Sequence, residues 1–201
     1  MIVSKKHKFV FISTPKTGSH SMFKILHDNF SGERIGPNFH ETNIPSDVKL
    51  SQYTVFSTCR NPYERLVALW HSLLHAKDDK KGYRSAWISA LSDDSLLTFS
   101  KFVAKNKNHI EFMSKVRLPT LAMPQYRWYK KMPEQTIPLH IENIDEEFSN
   151  LTFVKEPVKV PKVLSRKHAL WHDLKTEEVL HRANIWADGD FEKFGYQKEE
   201  T

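Results

Sequence analysis

The chain has 201 residues, 39% hydrophobic and 12% aromatic, which suits a single sizeable folded core and excludes a disordered polymer. A formal net charge of +6 favours an anionic partner: nucleic acid, an acidic membrane surface, a phosphorylated cofactor or an acidic glycan. The one cysteine, Cys59, excludes a disulfide framework and a cysteine zinc site.

The basic residues are scattered in short runs such as Lys5-Lys6-His7-Lys8 and Lys130-Lys131. A solvated surface explains such runs better than a nucleic-acid-binding stripe, so no nucleic-acid partner is expected. No apolar segment approaches the ~20 residues that span a bilayer. The start, MIVSKKHKFVFIS, has too short an apolar run for a signal peptide. These readings together predict a soluble, cytoplasmic protein, with its oligomeric state left open.

Lys8 to Ser13 is β-branched and aromatic, bounded by Thr14-Pro15, and reads as a short buried strand. From Ser19 to Phe30 the apolar residues Met22, Phe23, Leu26 and Phe30 recur at helical spacing. SGERIGPNFHETNIPSD then reads as loops around one short strand. Tyr53 to Thr58 is a second strand. Asn61-Pro62-Tyr63-Glu64 announces a helix: Asn61 caps, Pro62 suits the first position, and Glu64 completes a capping box. SLLTFSKFVAKN makes an amphipathic helix, Thr136 to Ile141 a third strand, and NIDEEFSNL a short helix. Thr176 caps a last helix that reaches Ala187, with acids in its first turn. Alternating strands and helices predict one P-loop-like α/β domain over residues 1–201, with a mainly parallel sheet flanked by helices.

In such a sheet, ligands bind beyond the carboxyl ends of the strands. Two strand-to-helix junctions here carry suitable residues. In Thr14-Pro15-Lys16-Thr17-Gly18-Ser19-His20-Ser21, Gly18 permits close backbone approach and the helix start offers N–H groups to an anion. Hydroxyls add donors and Lys16 adds a full charge. The order is not the Walker pattern, because Lys16 precedes Gly18. At the second junction, STCRNPYERLVALW, Arg60 stands between strand and capped helix, where it can take a phosphate bidentately or pair with Glu64. Cys59 is expected to be a small buried residue.

TPKTGSHS followed by CRNPYERLVALW resembles the paired motifs of sulfotransferases that use 3′-phosphoadenosine 5′-phosphosulfate (PAPS), most closely the carbohydrate-sulfotransferase branch. The likeness continues in order through LTFSKFV, AMPQYRWY, LHIENIDEEF, VPKVLSRK and DFEKFGY. It implies that Lys16, Thr17, Gly18, Ser19, His20 and Ser21 hold the 5′-phosphosulfate and that Arg60 grips the 3′-phosphate. Ala68 stands where the family has a second phosphate-binding Ser. In a later cofactor loop Leu164 replaces an Asn, while Ser165, Arg166 and Lys167 keep cofactor-binding chemistry. The implied reaction moves a sulfuryl group from PAPS to a hydroxyl of a carbohydrate.

Such transfer needs a base on the acceptor hydroxyl, and His suits neutral pH. His40, in the polar loop between the two phosphate motifs, is the candidate, with Glu41 as its substitute and acceptor-side neighbour. Lys16 would also stabilise charge on the leaving phosphate oxygen. No metal is required, and Asp188-Gly189-Asp190 is read as structural despite its likeness to a metal-binding Asp-x-Asp. Gln125, Arg127 and Trp128 are candidates for the acceptor or adenine side. Two other readings stay open: a nucleotide-dependent phosphotransferase, and a catalytically weak module that binds a nucleotide or anionic glycan.

Overall fold

The computed structural model describes residues 1–36, 40–74, 87, 90–107, 119–163 and 170–200. The chain divides into two compact units, one of Met1–Arg60 with Trp128–Arg166, the other of Asn61–Arg127 with Lys167–Thr201.

The first unit is built on a five-stranded sheet. Its strands are β1 (Ile2–Ser4), β2 (Phe9–Phe11), β3 (Glu33–Arg34), β4 (Thr54–Cys59) and β5 (Ile137–His140), in the order β3-β1-β2-β4-β5. β2, β4 and β5 run parallel, while β1 pairs antiparallel with both β2 and β3. The expected strand from Lys8 to Ser13 is therefore shorter as a ladder, although the Ile12 N–H still donates to the Phe56 carbonyl at 3.0 Å. Helix α1 (Ser19–Phe30) follows β2, and α5 (Ile144–Ser149) follows β5. Phe9, Phe11 and Phe56 are fully buried and pack with Met22 and Leu26 of α1 and Phe148 of α5. The ring of Phe153 stacks on Phe9 with centroids 4.6 Å apart.

The second unit is helical among its described residues: α2 (Pro62–Leu74), α3 (Leu96–Asn106), α6 (Trp171–Leu174), α7 (Glu177–Trp186) and α8 (Asp188–Phe194). A further short helix, α4 (Gln125–Tyr129), spans the point where the chain passes back into the first unit. Asn61 caps α2 as its sequence predicts, its Oδ1 accepting the Tyr63 N–H at 3.0 Å. Thr176 caps α7 through the Val179 N–H. Leu66, Leu69, Phe99, Val103 and Trp186 form the centre of this core.

Two charged residues lie inside that core. Arg65 donates to the carbonyls of Met123 and Leu121, at 2.8 and 3.3 Å, and its guanidinium lies over the Trp186 ring. Asp190 is fully buried and accepts the backbone N–H groups of Gln125 and Tyr126, at 3.0 and 2.7 Å, and the Gln125 amide. Burial pushes the Asp190 carboxyl above its ordinary range, while Arg65 and these N–H groups oppose the shift.

Candidate functional site

Because β2, β4 and β5 are parallel, the loops leaving their carboxyl ends emerge at one edge of the sheet. The loop after β2 runs through Ser13 to Gly18 and turns directly into α1. Two of its residues are left-handed, Lys16 with φ of 65° and Gly18 with φ of 82°. The Gly18 carbonyl accepts the Ser21 and Met22 N–H groups at 3.0 and 3.1 Å. The N–H groups of the first turn before them have no acceptor within the helix, the general property by which helix starts can meet anions. A Cβ on Gly18 would run into the Ile141 side chain, which follows β5, so these two loops interlock.

The hydroxyls of the loop are spent within the fold. Thr17 and Ser19 both donate to the Thr14 carbonyl, each at 2.9 Å. Thr17 also meets Thr58 on β4 at 2.8 Å, and Thr14 meets Ser57 at 3.0 Å. What Thr17 and Ser19 offer outward is consequently main chain, with the half-buried Lys16 and the exposed His20 beside it. The Ser21 hydroxyl accepts the Val163 N–H at 3.2 Å, which brings the segment before residue 164 to the α1 start. Leu164, Ser165, Arg166 and Lys167 lie outside the described residues.

His40 comes to the same loop. Its Nδ1 is 3.0 Å from the Ser13 carbonyl oxygen and 2.9 Å from the Ser13 hydroxyl. Its ring lies 5.9 Å from that of Trp128, inclined by 58°. Glu41, next in sequence, turns its carboxylate onto the Thr42 and Asn43 N–H groups at 3.2 and 3.1 Å and so holds its own loop.

Arg60 follows the last residue of β4 and is half-buried. Cys59 is buried, as expected. Tyr129 is buried near it; burial pushes its phenol well above the usual range, Cys59 adds to this, and the Ser57 hydroxyl opposes it. Gln125 and Arg127 are engaged in the packing of the second unit, Gln125 on Asp190 and Arg127 through a 2.6 Å bond to the Lys107 carbonyl. Ala68 is buried on α2.

The sequence reading missed Ser13, and it missed a second imidazole at this sheet edge. His140, paired with Cys59 across β4 and β5, binds the Glu147 carboxylate through its backbone N–H at 2.6 Å and its Nδ1 at 3.0 Å. Neither had a local signal. Ser13 reads as the end of a strand, and only the fold brings His140 to the edge.

Among the described residues no group of His, Cys, Asp or Glu is arranged to hold a metal ion, and no helix is long and apolar enough to cross a membrane. A family model described as "Sulfotransferase family" matches residues 1–112. No curated protein and no solved structure matches the chain.

Proposed function

The chain belongs to the sulfotransferase family, and from that premise we propose that it transfers a sulfuryl group from PAPS to a hydroxyl of a carbohydrate, with His40 as base. The observation that carries this reading is the hydrogen-bonding of His40 to Ser13, the residue that leads into the Lys16-to-Ser21 loop. The proposed base is thereby tied to the strand–loop–helix unit that carries the proposed anion cradle.

The donor set suits a nucleotide with two anionic groups. Lys16, the Gly18 turn and the N–H groups at the very start of α1 fit a phosphosulfate, with His20 contributing main chain and Ser21 its hydroxyl proton. Arg60 fits the 3′-phosphate, and Ser165, Arg166 and Lys167 are assigned to the same ligand from sequence. PAPS supplies an activated sulfuryl group whose leaving group is its 5′-phosphate.

His40 takes the proton of the acceptor hydroxyl at Nε2 while that oxygen bonds to sulfur. Lys16 and the helix start meet the negative charge that grows on the phosphate oxygen as its bond to sulfur breaks. Because that charge is largest in the transition state, they accelerate the step as well as bind the donor. Trp128, beside His40, is assigned to the acceptor side, where an aromatic face suits a sugar ring.

The test combines binding with turnover. 3′-Phosphoadenosine 5′-phosphate should raise the melting temperature, since a ligand of the folded state alone stabilises it. ATP, which lacks the 3′-phosphate, should give little protection, and Arg60→Ala should lose most of the effect. With labelled PAPS and a panel of glycans, His40→Ala should transfer sulfate roughly 10²- to 10⁴-fold more slowly, the usual contribution of a positioned base, with nucleotide affinity retained. Equal protection by ATP would sink the donor assignment, and parent-rate transfer by His40→Ala would sink the base.

A further inference from the structure

We propose that Ser13 is the positioning residue for His40, fixing the imidazole proton on Nδ1 and so directing the ring's lone pair, at Nε2, to the acceptor. The inference rests on His40 as the base of the reaction. It begins from an asymmetry between the two groups that Ser13 presents. The Ser13 carbonyl can only accept, so at 3.0 Å from Nδ1 it requires the proton to be on that nitrogen. The Ser13 hydroxyl, 2.9 Å from the same nitrogen, could in principle donate and demand the opposite tautomer.

The remaining bonds decide against that. The Ser13 hydroxyl sends its one proton to the Ser19 hydroxyl at 2.7 Å, and Ser19 sends its own to the Thr14 carbonyl at 2.9 Å. Each O–H in this run points away from His40 and toward Thr14. The imidazole therefore meets two acceptors on Ser13, and both ask for Nδ1–H. Ser13 is 2% exposed and Ser19 is 7% exposed, so bulk water has little access to reverse the order. The same run ends in the anion loop, so the residue that holds the base is bonded to the first residue of the helix whose start faces the donor.

The proton can be located by long-range proton–nitrogen spectra of the histidine-labelled protein without ligand, the His40 signals being identified by their loss in His40→Gln. The parent should show the Nδ1–H form. In Ser13→Ala one acceptor is gone, and the Nε2–H form should rise by about 3- to 10-fold relative to the parent, the worth of one hydrogen bond. Turnover of labelled PAPS should fall in proportion to the Nδ1–H fraction lost, with the KM for PAPS unchanged. Ser13→Thr, which keeps the hydroxyl in an extended segment that accepts β-branching, should restore both.

An Nε2–H parent overturns the proposal, and that measurement does not depend on any variant folding. So does a Ser13→Ala variant with the parent's tautomer ratio, or one whose Nδ1–H fraction falls substantially while turnover does not. If His40→Ala transfers sulfate at the parent rate, the base assignment itself has failed, and the spectra still report separately whether Ser13 sets the tautomer.

Discussion

Lys16 and Gly18 both adopt the left-handed conformation, yet only one of them is glycine. For a lysine this geometry costs about 1–2 kcal/mol. Lys16→Gly would relieve that cost and restore a similar amount of chain entropy to the unfolded state, so its stability should stay within about 1 kcal/mol of the parent. Sulfate transfer and nucleotide binding should nevertheless fall, because the ammonium is gone. Gly18→Ala should do the reverse kind of damage. Its backbone angle disfavours any side chain, and the new methyl would press on Ile141. A loss of about 1–3 kcal/mol is expected, read from urea denaturation. A stable Gly18→Ala variant would show that the loop can shift without harm.

At the scale of elements, the start of α3 carries a pH-dependent clasp. Ser95 caps the helix by accepting the Thr98 N–H, and Asp93 accepts the Ser95 N–H at 2.9 Å and the Thr98 hydroxyl at 2.9 Å. Hydrogen bonds from Ser95 first, and then Thr98, hold the Asp93 carboxyl down at about 2. A depressed folded value means that this contribution is complete above the ordinary carboxylate range near 3.9 and is lost as pH falls through about 2. Amide exchange at Thr98 should therefore lose protection across that window in the parent, and Asp93→Asn should abolish the dependence. Protection that is flat with acid in the parent would contradict the clasp.

The same scale shows what local sequence can specify. The Asn61-Pro62 start of α2 and the Thr176 start of α7 were legible because a cap is a relation between neighbours. β5 was legible from its alternation. β1 was missed because three residues carry too short a pattern, and its partner β2 lies antiparallel across a tight turn. β3 falls within the loop-rich stretch where one short strand was expected, but its exposed Glu33 and Arg34 give no apolar face to fix its position. The site divides along the same line. The Lys16-to-Ser21 loop and Arg60 stand out as candidates by their flanking elements, whereas the Ser13–His40 bond joins residues that only the folded chain brings together.

Across the molecule as a whole, Asp190 shows how a motif can mislead on its own. Asp188-Gly189-Asp190 looks like a cation site, but Asp190 is consumed by Gln125 and Tyr126. Its raised pKa means that the folded chain holds this proton more tightly than the unfolded chain. The group therefore favours folding most at acid pH, and that advantage fades as pH rises through the folded value. Asp190→Asn removes the titration and turns an amide N–H₂ toward N–H donors. It should cost about 1–3 kcal/mol at neutral pH, and urea titrations should find the deficit growing as pH is lowered. A deficit that shrinks with acid would mean that burial does not dominate at Asp190.

The interlock of Gly18 with Ile141 also has a consequence in time. The β1–β2 pairing is local and can form early, whereas the parallel core must join Phe9 to Thr54 and Phe56 to Ile137. Pairings between such distant residues close large loops and form slowly. A chain emerging from the ribosome thus exposes its Lys16–Gly18 loop well before Ile141 exists to brace it. The nascent protein carries the loop's sequence long before it carries the loop's shape, and whatever that shape is competent to do must wait until β5 has docked.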